Sequence, residues 1–113
     1  MKIQAKDLRI GNHVMYENNV YKLSAANILD LTRNEGKEFE GIPITKDWLI
    51  KLGFIKDVDT SFRWFLLDEL IAYDLDDHAV RILGGWEFGK RKYVHELQNL
   101  IYVLTMSDAK PFK

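Results

Sequence analysis

The chain contains no cysteine. That removes disulfides, thiolate zinc sites, iron–sulfur clusters and a cysteine nucleophile, and it fits a reducing cytosol. An excess of either charge is missing too: 16 basic residues stand against 17 acidic ones, a formal net charge of −1. A dedicated nucleic-acid binder carries a basic excess, because phosphate contacts supply most of its affinity. A protein that imitates DNA by charge would be strongly acidic, and this one is not. No run approaches the roughly 18 apolar residues of a membrane span. The opening, MKIQAKDLRIGN, lacks the apolar stretch of a signal peptide. The expectation is a cytoplasmic protein without a membrane partner. Internal repeats and low-complexity segments are absent as well.

What remains is enough for one core. The 113 residues are 47% hydrophobic and 29% charged, which excludes a disordered chain and matches the commonest size of a single domain. A chain of this length buries roughly two-thirds of the surface its unfolded form exposes.

Two β-rich runs, His13–Tyr16 and Val20–Leu23, flank the polar turn Glu17-Asn18-Asn19. Asn tolerates left-handed backbone, so this reads as a hairpin. Ala25 to Leu31 fits a short helix or a third strand, and Asn34 to Glu38 reads as a polar turn or loop. Ile44 to Phe54 is a short helix with N-cap Thr45, Asp47 in its first turn and Gly53 past its end. Trp48, Leu49 and Leu52 share its inner face. Phe54–Val58 and Phe62–Leu67 read as strands, as do Ile71–Leu75 and Ala79–Leu83 around Asp76-Asp77-His78. Alternation puts Ile71, Tyr73 and Leu75 on one face. Gly84 to Lys92 reads as a loop. Tyr93 to Leu104 is the longest helix, with Val94, Leu97, Ile101 and Leu104 in one stripe widened by Tyr93 and Leu100. The tail from Met106 to Lys113 is expected to fray.

The fold class that follows is α+β: antiparallel strands packed by one short central helix and one long C-terminal helix. The first hairpin could belong to a small barrel-like N-terminal half. We treat 1–113 as a single domain, with a β-rich part at 1–32, a joining segment at 33–42 and an α+β part at 43–106.

Three stretches together carry a resemblance: Leu8-Arg9-Ile10-Gly11-Asn12, Pro43 to Phe54 (PITKDWLIKLGF), and Lys92 to Thr105 (KYVHELQNLIYVLT). In this order they resemble a family of small uncharacterised proteins from phages and mobile elements of gut anaerobes, whose pattern runs LRIGN, PIPLTEEWLLKLGF, KYVHQLQNLYFALTG. The chain departs from the pattern after Thr105, where Met106 replaces Gly. The resemblance implies a phage or prophage context and no particular activity.

Gly84-Gly85-Trp86-Glu87-Phe88-Gly89-Lys90 matches the first seven positions of a phosphate-binding P-loop, but Arg91 stands where the magnesium-binding Ser or Thr belongs. Nothing suggests the parallel βαβ setting such a loop needs. The same stretch interleaves Trp86 and Phe88 with Lys90, Arg91 and Lys92. Aromatics beside cations hold single strands and also anchor protein interfaces. These five residues are the candidate interaction surface, against the plainer reading of a hinge loop packed back on the sheet.

Asp74, Asp76, Asp77 and His78 cluster, but Ala79 and Gly85 fill the calcium-loop positions that require Gly and Glu. A hairpin turn explains them better. His13, His78 and His95 show no metal-ligand spacing. Ser24, Ser61 and Ser107 lack a nucleophile elbow, and pairs such as Asp68-Glu69 suit any acidic turn. No metal, cofactor or catalytic residue is assigned, and the balance is against an enzyme. Residues 57–77 sum to −6 and residues 81–92 to +3. Such segregation steers partners, though solvated turns produce it as well.

The sequence therefore points to a non-catalytic interaction module with a host or phage protein as partner, modulation of host defence being one purpose. Nucleic-acid binding through the first hairpin or the Trp86–Lys92 stretch comes second. A small enzyme whose site assembles only in space comes third.

Overall fold

A computed structural model of the chain describes residues 3, 7–26, 28, 39–66, 71–82 and 86–105. Several expectations fall outside these residues: the turn at Asn34–Glu38, the joining segment up to 38, Asp68-Glu69, Gly84-Gly85, Ser107 and the tail from Met106. The described residues form two compact units, one within Met1–Pro43 and Tyr93–Asp108, the other within Ile44–Lys92.

The first unit is built on an antiparallel hairpin of β1 (His13–Tyr16) and β2 (Asn19–Lys22). Tyr16 pairs with Asn19, so the turn is tighter than the sequence suggests and contains only Glu17 and Asn18. Both have positive φ, 49° and 66°. That is the requirement of a type I′ turn, whose twist matches that of the strands it joins. Val14 and Leu23 are buried with Ile3 and Phe39, and Leu8, Tyr16, Tyr21 and Ile28 pack against them. Tyr16, Tyr21 and Phe39 meet edge to face, with centroids 6.1 to 6.3 Å apart, the arrangement aromatic quadrupoles favour. Glu40 bridges Met15 through two backbone hydrogen bonds of 2.9 and 2.8 Å. Neither sheet closes into a barrel, which corrects the expectation for this half: the described hairpin has only two strands. Ala25 and Ala26 are helical, and the Ile28 N–H donates to Ser24 O at 3.3 Å.

The long helix α2 (Val94–Thr105) belongs to this unit. Tyr93 precedes it and donates its N–H to Glu96 Oε1 at 3.2 Å, one half of a capping box. The Tyr93 ring lies on Gly41: a Cβ at residue 41 would sit 2.6 Å from Tyr93 Cδ1. Val94, Leu97 and Ile101 are buried as the stripe predicts, but so are His95 and Gln98.

The second unit opens with α1 (Lys46–Lys51). Thr45 caps it, its Oγ1 accepting the Trp48 N–H at 3.4 Å. At the other end Gly53 takes φ 96°. Its N–H donates to Ile50 O at 3.0 Å, and that of Phe54 to Leu49 O at 2.9 Å. This pair of bonds is a Schellman motif, and it settles two carbonyls that a helix end otherwise leaves open. Leu49, Leu52 and Phe54 are buried and Trp48 is half-buried.

A five-stranded antiparallel meander follows: β3 (Ile55–Lys56), β4 (Arg63–Leu66), β5 (Ile71–Asp74), β6 (Ala79–Ile82) and β7 (Trp86–Lys90), in that order across the sheet. The register puts Trp64, Tyr73 and Val80 in one row. All three are buried, with Ile71 on the same face. The other face carries Arg63, Asp74 and Ala79 in one row and Phe65, Ala72, Arg81 and Glu87 in the next. Phe54 and Tyr73 meet at 6.5 Å, edge to face. β7 corrects the sequence reading, which took residues 84–92 as loop. It carries one extra residue between the Ala79–Lys90 and Arg81–Glu87 pairs, with Gly89 at φ 84°. A glycine bulge of this kind bends a strand and hides its alternation.

A candidate interaction edge and a buried polar latch

β7 lies at one edge of the sheet and contains five of the seven residues of the P-loop-like run and three of the five candidate surface residues. An antiparallel edge strand has none of the helix N-terminus that a P-loop offers to phosphate. Phe88 is 39% exposed. Glu87, Lys90 and Lys92 are exposed and Arg91 is half-buried. The Trp86 side chain lies outside the described set.

Arg91 is held in two ways. Its backbone joins the sheet, the N–H donating to His78 O at 2.9 Å and the carbonyl accepting from the Tyr73 hydroxyl at 2.7 Å. Its side chain folds back along β7, where Nη1 donates to Phe88 O at 3.2 Å and to Lys90 O at 3.0 Å. Neither Lys90 nor Arg91 has a carboxylate partner among the described residues. Glu87 does have a partner, since Arg81 Nη2 lies 3.1 Å from its Oε1.

The acidic turn beside this edge is occupied by its own fold. Asp77 Oδ1 accepts the Ala79 N–H at 3.0 Å, as a turn aspartate does. His78 has φ 63° and its Nδ1 lies 2.8 Å from the Tyr73 hydroxyl. That hydroxyl gives its one proton to Arg91 O, so it accepts from a protonated Nδ1 of His78. Carboxylate oxygens of Asp74, Asp76 and Asp77 lie within 4.8 Å of one another. Asp74, however, is 3% exposed and committed to two arginines. Arg63 Nε and Nη2 reach its two oxygens at 2.7 and 3.0 Å, and Arg81 Nη1 reaches Oδ2. The Arg63 hydrogen bonds hold the Asp74 carboxyl below the usual carboxylate range, against the opposing effect of burial. An Arg63–Asp74–Arg81–Glu87 ladder thus crosses four strands of the outer face.

In the first unit the structure gathers polar residues that the sequence leaves far apart. Asn12 is fully buried. Its Oδ1 accepts the Arg9 N–H at 2.6 Å and its Nδ2 donates to Asn99 Oδ1 at 2.9 Å. Asn99 Nδ2 donates in turn to Asp7 O at 3.0 Å. Gln98 Oε1 accepts the His13 N–H, and its Nε2 meets His13 Nδ1, both at 2.9 Å. The Arg9 guanidinium lies 4.2 Å from the centroid of the Tyr102 ring, within cation–π range. The first and third stretches of the family resemblance therefore meet, and their polar residues latch β1 to α2. A signal was present: Gln98 sits four residues after Val94 and three before Ile101, inside the apolar stripe, where a polar side chain demands a partner.

The three histidines do not converge on a common ligand set. His13 is in the latch and His78 in the β5–β6 turn. His95 is 1% exposed and stacks on Tyr93 at 6.1 Å and 21°. Neither of its ring nitrogens has a hydrogen-bond partner among the described residues. Burial pushes its imidazole below the usual range, with Glu96 and Asp7 opposing. Trp64 Nε1 is likewise buried without a partner among the described residues.

At the other edge of the sheet Ile55 and Val58 are 72% and 93% exposed, an apolar strip that strand patterning assigned to no role. No helix among the described residues is long and apolar enough to cross a membrane. Comparison with models of protein families, with curated proteins and with solved structures finds no match.

Proposed function

We propose that the chain is a non-catalytic interaction module that engages a partner protein through the β7 edge. One observation carries this reading: Lys90 and Arg91 stand beside the exposed Phe88 on an edge strand, without carboxylate partners among the described residues. The polar groups of the Asn12–Asn99 and His13–Gln98 latch and of the Asp74 ladder are consumed by the fold. Aromatic and arginine side chains are the usual anchors of protein interfaces. The resemblance to phage and mobile-element proteins makes the partner a host or phage protein, and modulation of a host defence is one outcome of such binding.

Site-specific photo-crosslinking tests the reading. A photoreactive phenylalanine analogue at Phe88 should give a discrete protein adduct in extract of the native host cell. The same group at Val20, an exposed residue of β2, should not. The adduct should vanish when Lys90→Glu and Arg91→Glu are combined. Identical adduct patterns from both positions, or none from Phe88, would remove β7 as the contact surface.

A further inference from the structure

We infer that the β7 edge accepts an extended acidic peptide as an added strand of the sheet, and that Arg91 occupies the place of that strand until it arrives. The inference rests on the reading of β7 as the contact edge and names the chemistry of the partner. An edge strand leaves backbone groups without a neighbour. On β7 the carbonyls of Phe88 and Lys90 receive their hydrogen bonds from the Arg91 guanidinium, at 3.2 and 3.0 Å. One side chain thus supplies donors that the N–H groups of a neighbouring strand would otherwise provide. Natural proteins protect open edges with charged side chains, and here the protecting charge has no carboxylate of its own among the described residues.

An incoming peptide backbone can donate N–H groups to both carbonyls, which is how peptides join sheets. Arg91 is then released to form a bidentate pair with a peptide carboxylate, a geometry its planar fork suits. Lys90 adds a second cation. Glu87 brings little repulsion because Arg81 already holds it. Asp76 and Asp77 sit in the adjoining turn but form no ion pair with Lys90 or Arg91. The carbonyls also discriminate between polymers: they need regularly spaced N–H donors, which a peptide backbone has and a phosphate backbone lacks. Phe88 offers an apolar contact for an alternate side chain of the added strand.

The test uses the full chain and three fluorescent probe peptides of equal length: alternating Val and Glu, alternating Val and Lys, and the Val–Glu peptide N-methylated at every second residue. Anisotropy should show binding of the Val–Glu peptide, with amide shifts in NMR spectra concentrated at residues 86–91. N-methylation and the change of Glu to Lys should each weaken binding by about tenfold or more. Arg91→Glu should reverse the charge preference. Equal binding of the N-methylated peptide would overturn strand addition, and equal binding of the Val–Lys peptide would overturn the acidic preference. Absence of peptide binding, or binding of a single-stranded oligonucleotide in its stead, would overturn the inference entirely. A Phe88 crosslink to a partner, found together with any of these failures, would leave β7 as a contact edge and remove only the strand mechanism.

Discussion

Gln98 makes two hydrogen bonds to a single residue, and together they fix its orientation. Oε1 has to face the His13 N–H, so Nε2 has to donate to Nδ1, and His13 is held as the tautomer protonated on Nε2. Gln98→Leu would remove the acceptor of that part-buried N–H. We expect it to cost about 1–3 kcal/mol in urea unfolding; a change of a few tenths would mean that the latch is not worth keeping buried. His95 makes a second prediction. Its folded pKa lies below the usual value because of burial, whereas the unfolded chain takes up the proton near pH 6.5. The unfolded state therefore binds more protons in the window below about pH 6.5, and the stability His95 contributes when neutral is lost as pH falls through it, by at most about 1.4 kcal/mol per pH unit. Urea midpoints between neutral and mildly acidic pH should show this loss. His95→Leu should flatten it.

Local signals make some elements legible and long-range ones do not. α1 was readable because its stop is written in adjacent residues: Gly53 takes φ 96°, and the N–H groups of Gly53 and Phe54 close on Ile50 O and Leu49 O. Gly53→Ala should cost about 1–2 kcal/mol, since a Cβ disfavours left-handed backbone; a thermal melt showing no loss would contradict the Schellman assignment. The β1–β2 and β5–β6 hairpins were readable for a like reason, polar turns between alternating runs. β7 was not, because pairing with β6 makes it a strand while Gly89 breaks its alternation with a bulge. Its five-residue edge became visible only with the register. The latch was harder still: His13 and Gln98 are 85 residues apart, and a single sequence carries no mark of which distant amide serves which backbone group. Even so, Gln98 within the apolar stripe of α2 marked where a partner would be needed.

The two units are built differently along the chain. Among the described residues the second is continuous from Ile44 to Lys92, whereas the first takes its hairpin from the N-terminal part and α2 from beyond residue 92. A fragment of residues 44–92 should therefore keep the dispersed amide spectrum of a folded sheet, with a marginal stability of at most about 3–5 kcal/mol. A collapsed or random-coil spectrum would mean that this sheet depends on the rest of the chain. No single cut releases the first unit in the same way. Its discontinuity also sets a schedule during synthesis. β1 and β2 leave the ribosome with the Asn12 amide and the His13 N–H unanswered, and α2 follows only after the whole second unit has been made. At translation speeds of about 5–20 residues per second, the nascent hairpin spends several seconds or more as an unfinished surface, and it is then that chaperones and proteases would find it.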